Sequence, residues 1–134
     1  MPFSVTKYPL KPILHNAAFL GGGPPMFDTR DVAGPTNLLV ETPVLGRAIA
    51  QTLGKANIVL MRGHGDTVVG PNVRLATFWA IYAEVNARQL AQAIAIGGPI
   101  TFIEGEEQKL AHDNNATAYE RPWKMWKREA MRSK

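Results

Sequence analysis

The stretch Asn57-Ile-Val-Leu-Met-Arg-Gly-His-Gly-Asp-Thr-Val-Val-Gly70 decides the fold. Ile58 to Met61 is an uninterrupted apolar run that begins with β-branched residues, which is typical of a buried strand. Asp66 to Val69 ends in two valines and predicts a second short strand. Between them, Gly63-His64-Gly65 predicts a tight reversal, because glycine tolerates backbone angles that other residues avoid. The stretch therefore predicts a strand–turn–strand unit with a histidine at its tip.

That histidine, His64, is the first candidate for chemistry. A neutral imidazole at a rigid strand end suits a metal ion, because the geometry of the ligand is set before the metal arrives. The alternative is a turn histidine without a chemical role, and spacing alone leaves both interpretations open. The other histidines are His15 and His112. His112 lies beside Asp113, but adjacent side chains rarely converge on one site, so we predict a loop there without a function.

Composition and charge describe an ordinary globular domain. A chain of 134 residues with 46% hydrophobic and 19% charged residues is long enough for one core and is not disordered. The net charge of +4 is modest. The absence of cysteine excludes disulfides and thiolate metal sites and is compatible with a cytoplasmic protein. No apolar run is long enough for a membrane span, and no signal-peptide pattern is present, so we expect no membrane partner.

Much of the positive charge lies near the C-terminus. There the cationic residues outnumber Glu120 and Glu129. The cationic residues are Arg121, Lys124, Lys127, Arg128, Arg132 and Lys134. We interpret this segment as the solvated face of a helix and expect no nucleic-acid partner. Trp123 and Trp126 are three apart and would share a face of that helix, where large aromatic side chains usually anchor it to the domain or to a neighbour.

Helix signals are clearest in the middle of the chain. Thr42 predicts an N-cap, Pro43 a first helical residue and Gly54 a C-cap, and Asn72 caps a second, longer helix. The apolar stripe of that longer helix is wide, which indicates burial on more than one side. Besides the strands at 58–61 and 66–69, the predicted elements are a short strand within residues 1–12, a helix at 13–20, a strand entry at 24–28, helices at 43–53 and 73–96, an extended run at 100–103, a helix at 104–111, a loop at 112–116 and a helix at 119–131. Glu84, Asn86 and Arg88 are predicted to be polar surface positions.

The segment Val59–Gly70 resembles the second metal-ligand segment of the class II aldolase/adducin family. This family includes fuculose-phosphate aldolase, ribulose-phosphate 4-epimerase and metal-dependent decarboxylases of hydroxylated aromatic acids. The similarity continues through Tyr82-Ala-Glu-Val-Asn-Ala87, and His15-Asn-Ala-Ala-Phe-Leu-Gly-Gly-Gly23 looks like the segment after the family's first metal motif. The resemblance implies an α/β fold, a three-layer αβα sandwich. We expect residues 1–134 to be the C-terminal part of one such domain, incomplete at its N-terminus.

Family members bind a divalent metal through a His-x-His pair and a later histidine, with a glutamate further upstream. The resemblance assigns one of these positions here, His64, and implies zinc or manganese as the cofactor. It also implies that His15 and Asn16 line the active site and makes Tyr119 a candidate proton donor. In the sugar-phosphate aldolases the histidine that matches His15 is followed by a tyrosine proton donor. Asn16 at that place favours the decarboxylase-like branch.

The implied function is a metal-dependent carbon–carbon lyase that performs aldol cleavage or decarboxylation of a small hydroxylated carboxylate. We expect the chain to be inactive alone, because one histidine is too weak a site for a catalytic ion. The alternative is a non-catalytic remnant or an interaction subunit of the adducin type. The expected partners are further copies of the chain, as in the tetramers of the family, or a missing N-terminal half.

Overall fold

The decisive stretch forms the centre of a three-stranded sheet. The computed structural model describes residues 1–132, so that Lys134 of the basic segment lies outside the described residues. Strands β1 (Met26–Phe27), β2 (Ile58–Met61) and β3 (Gly65–Val68) lie in the order β1-β2-β3. β1 runs parallel to β2, and β3 runs antiparallel to it with Ile58 opposite Val68. The strand–turn–strand prediction is confirmed, with the second strand one residue earlier than expected.

Helices surround this sheet. Two 3-10 helices, Pro2–Val5 and His15–Leu20, precede β1. The α-helices are α1 (Arg30–Ala33), α2 (Pro43–Leu53), α3 (Val73–Ile96), α4 (Gly105–Asn115) and α5 (Glu120–Arg132). The predicted caps of α2 and α3 are confirmed, because Thr42 Oγ1 accepts the Leu45 N–H at 3.3 Å and Asn72 Oδ1 accepts the Leu75 N–H at 3.0 Å. Among residues 1–132, no helix is long and apolar enough to cross a membrane.

Buried side chains pack against both faces of β2. Ile58 and Leu60 belong to the larger cluster, together with residues of α3 such as Phe78. Val59 points the other way and packs with Phe27 of β1 and with α2. A strand covered on both faces has no solvent-facing positions, which explains why β2 is apolar throughout rather than alternating. The mixed α/β class predicted from the sequence is confirmed.

The short strand predicted within residues 1–12 is wrong. These residues contain a 3-10 helix, Pro2–Val5, instead of a strand. Phe3 is 2% exposed and packs in the main cluster, while Ser4 Oγ donates a hydrogen bond to the Met1 carbonyl at 3.0 Å. A proline at the first turn favours a helical start, and the apolar alternation that suggested a strand reflects the burial of single side chains.

Two further predictions are wrong at their boundaries. The helix expected from Ile13 is a 3-10 helix that begins at His15, because Leu14 is extended (φ −112°, ψ 136°). The N–H groups of Ile13 and Leu14 bind the side chain of Asn86, which holds this segment extended on α3. The loop predicted around His112 belongs to α4, which continues to Asn115. Asn115 is 6% exposed, and its Nδ2 donates to the His15 carbonyl at 2.7 Å. This tertiary contact outweighs the local preference of asparagine for loops.

The prediction that Asn86 of α3 is a surface position is wrong. The Asn86 side chain is fully buried, and its Oδ1 accepts the N–H groups of Ile13 at 2.9 Å and Leu14 at 3.2 Å. Its Nδ2 donates to the Lys11 carbonyl at 2.9 Å. One amide therefore satisfies three backbone groups of an extended segment that has no strand beside it, and it attaches that segment to α3.

Candidate functional site

His64 occupies the tip of the turn between β2 and β3. Gly63 and Gly65 on either side of it have φ angles of +68° and +123°, a region that only glycine adopts without strain. The His64 N–H donates to the Met61 carbonyl at 3.0 Å, which closes the turn. The imidazole is exposed, as the sequence predicts for a ligand offered to an ion or a partner.

An ion cluster lies at the base of this turn. Asp28 follows β1 and Arg62 follows β2, so the parallel strands bring them to the same edge of the sheet. Arg62 Nε lies 2.7 Å from Asp28 Oδ2, and Arg30 Nη2 lies 2.6 Å from the same oxygen. The hydrogen-bonded guanidinium of Arg30 and then the close guanidinium of Arg62 hold the pKa of Asp28 well below its usual range. Sequence reasoning missed this cluster, although polar residues after parallel strands are a recognised sign of a site.

Asp66 lies on β3, two residues after the turn. Burial raises the pKa of its carboxyl, the α-ammonium of Met1 opposes that rise, and the carboxylate of Glu84 adds to it. Two carboxylates thus flank the turn. Two arginines favour the ionised form of Asp28, whereas burial disfavours the ionised form of Asp66.

Within residues 1–132 no group of three histidine, aspartate or glutamate side chains converges closely enough to hold a metal ion. His64 is a single candidate ligand, whereas a catalytic zinc site takes three protein ligands and keeps an open position. The residues described therefore do not fit a complete metal site by themselves.

The other predicted site residues lie on a different part of the domain. Asn16 is half-buried and lines a crevice of about 220 Å³ between the second 3-10 helix, the start of α3 and the end of α4. The residues around it are Asn16, Phe19, Leu75, Trp79, His112, Asn115 and Ala116. His112 and Asn16 thus share a crevice, which the sequence did not predict because it placed His112 in a loop. His15 is exposed, and its carbonyl accepts from Asn115.

Asn16 also lines a second, wider crevice of about 840 Å³ that lies against α5. Tyr119 is half-buried, packs against the main cluster, and accepts the Trp123 N–H at its carbonyl. Among the described residues, His64 and Tyr119 line neither of the crevices that contain Asn16. The four predicted site residues are therefore not gathered around one cavity of a single chain.

Comparisons with known proteins give the family context. Residues 1–91 match the family described as Class II Aldolase and Adducin N-terminal domain. The chain is also similar to the decarboxylase tropJ of Talaromyces stipitatus, with 31% identity over 150 residues that cover 96% of this chain and 56% of that protein. The chain thus spans little more than half the length of this curated relative.

Proposed function

The chain belongs to the class II aldolase and adducin family, and from that premise we propose that it forms part of a metal-dependent carbon–carbon lyase. The observation that carries the proposal is the position of His64, an exposed imidazole held between two glycines with positive φ at the end of a buried strand. We propose zinc or manganese as its metal. The part of the family fold present here would belong to a three-layer αβα sandwich, with α2 and α3 on opposite faces of the sheet.

The substrate we propose is a small hydroxylated carboxylate, and decarboxylation is favoured over aldol cleavage. The similarity to a decarboxylase supports this branch, as does Asn16, which has no hydroxyl to donate a proton as a tyrosine would. Release of carbon dioxide, rather than of an aldehyde, from a hydroxylated carboxylate would distinguish the two reactions.

Each site residue then has a proposed role. His64 supplies one metal ligand, and the Asp28–Arg62 pair fixes the strand ends from which its turn projects. His15 and Asn16 line the substrate space, and Tyr119 is the proposed proton donor. The remaining ligands would come from residues outside this chain or from another copy, since one imidazole does not hold a catalytic ion.

A second candidate is a non-catalytic interaction subunit of the adducin type. The observation that favours it is that residues 1–132 contain no cluster of three possible ligands. The two candidates differ in one measurable property, which is whether His64 contributes to tight metal binding once the other ligands are supplied.

Calorimetric titration with zinc and with manganese tests this. The isolated chain should bind weakly, whereas a fusion with the part of tropJ that the similarity does not cover should bind at least about 100-fold more tightly, because affinity depends on several ligands around one ion. His64→Ala in the fusion should abolish that gain. The matched control is His112→Ala, which changes a half-buried histidine on α4 and should leave the affinity unchanged.

Two outcomes would contradict the proposal. If the fusion with His64→Ala binds metal as tightly as its parent, His64 is not a ligand and the interaction subunit is the better candidate. If the isolated chain already binds one zinc ion tightly, its own residues complete the site, and the idea of ligands supplied from elsewhere is wrong.

A further inference from the structure

Helix α5 has two different faces. Its apolar face lies on α3, where the Trp126 ring is 6.5 Å from Phe78 and 6.3 Å from Tyr82. The other face carries exposed cations. They are Arg121, Lys124, Lys127, Arg128 and Arg132. We call this surface the basic face. Glu120 lies at its start and is paired with Arg74 at 3.2 Å, and the two acidic residues of α5, Glu120 and Glu129, are outnumbered by these five cations.

A groove of about 520 Å³ runs between the basic face and Arg74. Trp123 and Met131 line it together with Glu120, Lys124, Lys127, Arg128 and Arg132. Met131 is 69% exposed. An apolar floor with a cationic rim suits an apolar side chain flanked by carboxylates.

Helix α4 presents such a surface. Its inner side faces the second 3-10 helix, where Gln108 Nε2 donates to the Ala18 carbonyl and Asn115 binds the His15 carbonyl. Its outer side carries Glu106, Glu107 and Leu110, all exposed, with Leu110 at 62%. We call these three residues the acidic face. In the described part of the chain neither glutamate forms an ion pair, so the acidic face and the basic face do not satisfy each other within one copy.

We propose that the acidic face of α4 docks into the groove of α5 on a second copy of this chain. Leu110 enters between Trp123 and Met131, and Glu106 and Glu107 meet the lysines of the rim. The lengths match, since 11 and 13 residues at about 1.5 Å per residue give helices of roughly 16 and 20 Å.

This contact joins two different surfaces, so it is head-to-tail. Each added copy leaves one free acidic face and one free groove, and the assembly closes only as a ring or continues as a chain. The area of two short helices places the contact below about 1,200 Å², among weak and transient interfaces. Opposite charges at its rim make the association fall as salt rises.

Charge reversal followed by sedimentation velocity tests the docking. The parent should show a sedimentation coefficient that increases with concentration and falls back at high salt. Lys124→Glu with Lys127→Glu should be monomeric alone, and so should Glu106→Lys with Glu107→Lys. An equimolar mixture of the two variants should associate again, because each then offers the face that complements the other. Circular dichroism checks that α4 and α5 persist.

The matched control is Arg47→Glu with Lys55→Glu, which makes the same change in net charge at exposed positions in and just after α2. It should associate like the parent. A parent that stays monomeric overturns the docking, as does association that survives either reversal or a mixture that fails to recover. A monomeric parent that instead binds vesicles containing an anionic phospholipid would assign the basic face to a membrane surface.

The proposal does not rest on the lyase function. His64→Ala should associate as the parent does, whatever its effect on metal binding. Loss of metal binding with intact association, or the reverse, therefore separates the two proposals.

Discussion

Asn86 is the position where a single substitution should be most informative about the fold. Asn86→Ala removes an amide that is fully buried and that binds the N–H groups of Ile13 and Leu14 and the carbonyl of Lys11. All three backbone groups belong to a segment that is not paired with a strand. No hydrogen bonds of a β-sheet can therefore replace those that the substitution removes.

The magnitude follows from these three groups. A buried backbone donor or acceptor left without a partner costs about 1–3 kcal/mol. Because water can reach part of the opened space, we expect the lower half of the sum, about 3–6 kcal/mol, for Asn86→Ala. A domain of this size has a free energy of unfolding of about 5–15 kcal/mol, so the variant would lose a substantial part of it.

Urea unfolding followed by circular dichroism measures this loss. Asn86→Leu keeps the side-chain volume but not the hydrogen bonds, so it should lose nearly as much as Asn86→Ala if the hydrogen bonds and not a cavity are responsible. Gln89→Ala removes an exposed amide from the same helix and should change stability by no more than about 0.5 kcal/mol. A loss below about 1 kcal/mol for Asn86→Ala, or full stability of Asn86→Leu, would refute the reasoning.

Trp126→Ala should release α5 from α3 and lower the free energy of unfolding by about 1–3 kcal/mol, because the half-buried ring contacts Phe78 and further aromatic residues. Limited trypsin digestion should then cut within α5 faster than in Met125→Ala, which changes an exposed residue of the same helix and keeps every cleavage site, and equal rates would count against that packing. Asp28→Asn should flatten the dependence of stability on acid pH. The pKa of Asp28 is depressed, so its contribution is present above its unfolded pKa of about 4 and is lost as the pH falls through the folded value. Urea midpoints from neutral to strongly acidic pH would show it, and parallel curves for parent and variant would contradict it.

Local patterns predicted the strand–turn–strand unit and the two capped helices. The apolar run of β2, the glycines around His64 and the caps at Thr42 and Asn72 each act over a few residues, so the sequence carries their signal directly. The exposed position of His64 follows from the same local information, because a histidine between two glycines at a reversal has few neighbours to cover it.

Long-range polar contacts explain most of what the sequence did not reveal. Asn86 binds residues more than 70 positions away, and Asn115 binds the carbonyl of His15, 100 positions away. Asn86 lies two positions from Glu84 and from Arg88 on a long helix, which is the pattern of a surface position. Asn115 follows His112 in a polar run, which is the pattern of a loop. In both cases a distant backbone group, not the local pattern, determines burial and helix length.

For the candidate site, too, the sequence indicates which residue types are present but not where they lie relative to one another. The resemblance to the family implies roles for His64, His15, Asn16 and Tyr119 in a metal-dependent lyase. In one chain, however, Asn16 and His112 share a crevice that does not include His64. If the predicted residues act on one substrate, at least two surfaces must be brought together from different copies or from further residues. A head-to-tail contact joins unlike surfaces, which is what such a shared site requires, whereas a site complete within one chain would need His64 to move away from the strand ends that fix its turn.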